Sequence, residues 1–117
     1  MIDVKESDWK LFRKRVPGWQ EAWMDKLNRE YIALLESEGQ PSDKFWELEK
    51  RIRRDRQSVG VVIDMRRSMM TANIMRLLGD GVISLDDLDG FSEELVEKMR
   101  YLMREYECKS ARQRLTA

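Results

Sequence analysis

The sequence predicts an all-α protein, a compact bundle of four main helices. Apolar residues recur at steps of three and four through most of the chain. Only two prolines and six glycines occur in 117 residues, and they fall at breaks between periodic stretches. One short run, Val59 to Ile63, has strand-favouring residues, and no second strand is present to pair with it.

The first periodic stretch holds Trp9, Phe12, Val16, Trp19, Trp23, Leu27, Tyr31 and Leu34 on one face. Ser7 suits an N-cap, with Asp8 in the first turn. Pro17 interrupts this run, and proline inside a helix removes a hydrogen bond and crowds the preceding turn. The prediction is a helix broken at Pro17, about 8–15 and 17–37. The unbroken phase leaves one kinked helix as the alternative. Gly39 is placed to stop it.

Ser42 is placed to cap the next helix, about 43–57, with Phe45, Leu48 and Ile52 on its apolar face. From 60 to 79, Val61, Val62, Ile63, Met65, Met69, Met70, Ile74, Met75, Leu77 and Leu78 point almost all round a helical wheel. A helix apolar on most sides sits at the centre of a bundle or of a dimer. Gly79-Asp80-Gly81 marks a turn, and Ser84 caps a short helical turn at 85–89. Ser92 starts the last helix, about 92–107, with Phe91, Leu95, Met99, Leu102 and Tyr106 on the buried face. Residues 1–108 read as one domain. The tail 109–117, with Lys109, Arg112, Arg114 and no acid, reads as a frayed basic end.

Composition narrows the function. The chain has no histidine, so the commonest general base and metal ligand are missing. Its single cysteine, Cys108, has no histidine to activate it and fits a reducing cytoplasm. The beginning, Met-Ile-Asp-Val-Lys-Glu, lacks the apolar stretch of a signal peptide, and no run approaches the length of a membrane span. The 22 basic and 22 acidic residues cancel, so any attraction to nucleic acid must come from a local patch.

Four constellations carry potential chemistry. Asp80-Gly81-Val82-Ile83-Ser84 has the look of a calcium loop. Aligned on Gly81, however, its first and third ligand positions are Arg76 and Leu78, which cannot coordinate, and its twelfth is Asp87. The run Lys50-Arg51-Ile52-Arg53-Arg54-Asp55-Arg56 has five cations in seven residues, enough for phosphate contacts. Arg66 and Arg67 would extend it if the chain turns back. Glu47, Glu49 and Asp55 are spaced to pair with these cations. The acids Asp80, Asp86, Asp87, Asp89, Glu93 and Glu94 sit where carboxylates stabilise helix N-termini. Finally, eight methionines and four tryptophans offer adaptable or hot-spot contacts. Met69, Met99 and Trp23 read as core. Trp46 adjoins Phe45, so one of the two is expected at the edge of the buried face, and an exposed tryptophan there would mark a contact site.

The segments Val16-Pro17-Gly18-Trp19-Gln20-Glu21-Ala22-Trp23, Pro41-Ser42-Asp43-Lys44-Phe45-Trp46-Glu47-Leu48-Glu49-Lys50, Asp80-Gly81-Val82-Ile83-Ser84 and Phe91-Ser92-Glu93-Glu94-Leu95 resemble a family of short helical proteins of gut bacteria and mobile elements. The "multidrug transporter" label sometimes attached to that family conflicts with a chain that has no apolar span. The resemblance implies a bacterial accessory protein and brings no activity, cofactor or site residue.

Two functional expectations follow. One is a non-enzymatic helical interaction protein that binds a protein partner or itself, motivated by the apolar 60–79 stretch. The other is a nucleic-acid accessory protein using the basic helix 50–56. Lys50, Arg51, Arg53, Arg54 and Trp46 are the candidate contact residues under either reading. No catalytic, cofactor or metal residue is expected, nor a membrane partner.

Overall fold

The computed structural model describes residues 4–116, and the side chains of 4–109. The fold is all-α. Helix α1 spans Glu6–Glu36, α2 Pro41–Asp55, α3 Met70–Gly79 and α4 Glu93–Thr116. Single 3-10 turns at Arg67–Met69 and Leu85–Leu88 precede α3 and α4. No described helix is long and apolar enough to cross a membrane.

α1 is one helix of 31 residues with Pro17 inside it. The expected break at Pro17 is a correction: the alternative of a single helix holds. Pro17 and Arg13 are both exposed, so the carbonyl that loses its helical donor lies on the solvent side. Phe12 and Val16 keep the apolar face on the core through the interruption. The helix begins at Glu6, one residue before the predicted Ser7 cap.

The predicted helix 60–79 is a correction. Only 70–79 is α-helical, and 59–66 is a turn followed by chain without regular structure. The all-round apolar pattern arises because this stretch does not present a single helical stripe. Val59 is buried, Val61 and Ile63 are half-buried, and Val62 and Met65 face solvent. The buried Asn73 holds the segment from behind, its side-chain amide donating to the Asp64 carbonyl at 2.7 Å. The β-branched run Val61-Val62-Ile63 suits extended backbone. The helical remainder, α3, does lie in the core: Met70, Ile74 and Leu77 are essentially inaccessible.

The core joins the first half of α1 to α3, α4 and their connections through Phe12, Val16, Val59, Met70, Ile74, Leu77, Leu78, Ile83, Leu88, Phe91, Leu95 and Met99. Three devices fix the connections. The Ser84 backbone N–H donates to the Asp87 carboxylate at 2.7 Å, and Ser92 caps α4, its hydroxyl accepting from the Leu95 N–H. The buried Asp8 carboxylate accepts both the Ser92 N–H (2.8 Å) and the Ser92 hydroxyl (2.6 Å), tying the start of α1 to the start of α4. Arg15 donates to the Asp87 carbonyl at 2.9 Å and lies over the Phe91 ring. Gly90, between them, has φ +92°, and a Cβ there would sit 2.9 Å from the Arg15 guanidinium.

α4 continues as helix to Thr116, beyond the predicted end near 107. Tyr106, expected on the buried face, is exposed. The side chains of 110–117, most of the predicted basic tail, lie outside the described residues. Burial is uneven across the four helices. The second half of α1 and all of α2 leave the core together as a two-helix arm. The radius of gyration is 17.2 Å, against about 13 Å for a compact chain of this size.

Candidate interaction surface

The arm is built from Trp23 onward. At its root Gly60 lies flat against the Trp23 indole, where a Cβ would come within 2.1 Å of the ring. Gln20 donates to the Val59 carbonyl beside it, at 3.2 Å. These contacts return the chain from α2 to the core. Midway, the Tyr31 hydroxyl donates to the Asp55 carboxylate at 2.6 Å, and Arg54 binds the other oxygen at 3.0 Å. Burial, with the Asp55 hydrogen bond and charge behind it, pushes the Tyr31 hydroxyl up to about 12. Burial disfavours the Asp55 carboxylate, but the bonds from Tyr31 and Arg54 outweigh it and hold its pKa below the usual value. At the tip, Gly39 turns the chain with φ +143°, and Lys44 donates to the Leu35 carbonyl.

The arm hides little of its apolar surface. α2 contains no buried residue, although Phe45, Leu48 and Ile52 recur at helical spacing. Its main partner is α1. Lys44, Leu48, Arg51 and Asp55 are half-buried, while Phe45 and Ile52, on either side of Leu48 in the apolar stripe, are exposed. Phe45, Leu48, Glu49, Ile52, Arg53 and Arg56 line one shallow groove. Met24, Leu27, Asn28, Tyr31, Ile52, Asp55, Arg56 and Val61 line the next. The two grooves meet at Ile52 and Arg56. On α1 the spacing Met24, Asn28, Tyr31, Leu35 continues the same flat side toward the tip. Leu35 and Ile32 are exposed.

Trp46 is 64% exposed and Phe45 61%, their rings edge to face at 5.0 Å. Both lie on the surface, whereas the sequence led us to expect one of the two at the edge of the buried face. The basic residues share α2 but are paired within it: Arg51 with Glu47, Arg53 with Glu49, and Arg54 with Asp55. Lys50 is exposed on the side away from the groove. Arg66 and Arg67 do not extend this set. Arg66 binds Asp64, and Arg67 binds Glu6 and the Val4 carbonyl at the far end of α1.

The remaining constellations fall elsewhere. Asp80-Gly81 is a turn with Gly81 at φ +78°, and Val82 and Ile83 pack inward from it. Met99 is fully buried, while Met69 and Trp23 are half-buried. Cys108 is exposed on α4. Among the described residues no three His, Cys, Asp or Glu side chains come together as a metal-binding group would require. Sequence reasoning missed Met24 and Leu35, whose offset from the Tyr31 stripe was the available signal. Comparison with family models, with curated proteins and with solved structures finds no match to this chain.

Proposed function

We propose that this is a non-enzymatic interaction protein whose contact surface is the flat apolar side of the α1–α2 arm. One observation carries the reading: a 15-residue amphipathic helix, α2, with no buried residue, presents Phe45, Trp46 and Ile52 to solvent. Exposed aromatic side chains clustered on a rigid element are the usual anchors of protein contacts. The cations of 50–56 flank this surface and serve as its charged rim. Their pairing with Glu47, Glu49 and Asp55 leaves less positive charge for phosphates than the sequence run implies. The single exposed thiol suits a reducing compartment, and the reading places the protein in the cytoplasm.

The test is the double variant Phe45→Glu with Ile52→Glu. At low protein concentration its circular dichroism and melting should match the unmodified chain, because neither residue is buried in the single chain. Association, measured both as self-association by sedimentation and as retention of proteins from the native cell, should be lost. If sedimentation and retained proteins are identical for the two chains, the reading fails.

A further inference from the structure

Resting on the reading of the arm as a contact surface, we propose that its occupant is a second copy of this chain. The two arms pack antiparallel about a two-fold axis near Leu48 and close into a four-helix bundle.

The first argument is structural. A pair of helices is one layer, and an apolar side on one layer needs a second layer to cover it. Met24 and Tyr31 on α1 with Phe45, Leu48 and Ile52 on α2 line adjoining grooves, with the exposed Leu35 one turn beyond Tyr31, and such a two-helix layer is half of a four-helix bundle. Phe45 and Ile52 lie two helical turns apart, on either side of Leu48. Reversing a second copy about Leu48 sets Phe45 of each against Ile52 of the other, so one contact is made twice, as a two-fold interface requires.

The second argument is charge. The tip, residues 36–44, carries the three carboxylates Glu36, Glu38 and Asp43 against one cation, Lys44. At the root, residues 47–56 carry five cations against Glu47, Glu49 and Asp55, and Arg53 and Arg56 are the two cations that line the groove. Antiparallel arms lay the acidic tip of each copy on the basic root of the other, at both ends. Parallel arms would lay cations on cations. A nucleic acid would be drawn to the root but repelled by the tip, and it would leave the apolar face uncovered.

The experiment uses the full chain. Sedimentation over a wide concentration range should show a dimer that weakens with salt. A root variant, Arg53→Glu with Arg56→Glu, and a tip variant, Glu36→Lys with Glu38→Lys, should each self-associate on the order of tenfold more weakly. Mixing the two should restore a dimer, since the acidic root of one then meets the basic tip of the other. In a Cys108→Ser background, Glu49→Cys, near the axis, should form an intermolecular disulfide, and Ser42→Cys, far from it, should not. A monomer at every concentration, variants that dimerise unchanged, or a mixture that stays monomeric would each overturn the proposal. Equal linking at Ser42→Cys is a parallel pair and also overturns it. If the chain is monomeric but Phe45→Glu with Ile52→Glu still abolishes capture of another protein, only the second copy is refuted and the contact surface stands.

Discussion

The two halves of α1 follow one apolar period and meet opposite fates. In the first half Phe12 and Val16 are sealed against α3 and α4. In the second, Leu27 is the one buried residue, and Ile32 and Leu35 stand in solvent. The core end is held by burial of large side chains. The arm end is held by polar ties across its seam, chiefly Tyr31 to Asp55 and Lys44 to the Leu35 carbonyl. Amphipathic spacing therefore states that a face is to be covered, and leaves open whether the same chain covers it.

The strongest test of this contrast removes one aromatic ring from each end. Phe12→Ala should cost about 3–5 kcal/mol in urea denaturation, because the ring is inaccessible and leaves a cavity. Phe45→Ala should stay within about 0.5 kcal/mol at low protein concentration. Comparable losses would abolish the distinction between core and arm.

The joint comes next. Gly60→Ala forces a methyl group into the Trp23 ring and should cost about 1–3 kcal/mol, with a matching shift in tryptophan fluorescence. An unchanged melting curve would show that the arm root has room to move.

Smaller still is the seam. Tyr31→Phe should cost about 1 kcal/mol and leave Asp55 to Arg54 alone. Its pH signature has a definite sign. A hydroxyl raised from 10.0 to about 12 in the folded chain adds stability that is complete below pH 10 and is lost as the pH rises through 12. Asp55, lowered from 3.8, adds stability that is present above that value and lost in acid. Alkaline titration of the Tyr31→Phe variant should lose the transition near pH 12 that the unmodified chain shows.

Much of this was legible from residue spacing. Ser84 and Ser92 marked their turns correctly, but the expected break at Pro17 does not occur, because the proline's missing hydrogen bond falls on the solvent side of a helix whose apolar phase runs on. The Glu47–Arg51 and Glu49–Arg53 pairs followed from their separation of four. The 59–66 connection was not legible. Val59 is buried, Val61 and Ile63 are half-buried and Val62 is exposed, all from a turn and irregular chain, and a helical wheel cannot separate that from a buried helix. The candidate surface was half legible. Phe45, Leu48 and Ile52 stood out as a stripe, but a stripe on paper reads as core. Trp46 stood out beside Phe45 as a residue whose exposure spacing alone leaves open, and it is exposed, whereas Leu35 and Met24 gain meaning only once α2 lies beside them.

The continuity of α1 across both ends has a geometric consequence. A helix of this kind behaves as a strut whose length and phase are fixed together, at about 1.5 Å and 100° per residue. Inserting one residue between Val16 and Trp23 would hardly lengthen the molecule, yet it would swing the arm's flat side a quarter-turn relative to the core. Inserting seven would lengthen it by about 10 Å and return that side nearly to its original bearing. Direction, more than reach, is what the uninterrupted helix conveys from one end of the protein to the other.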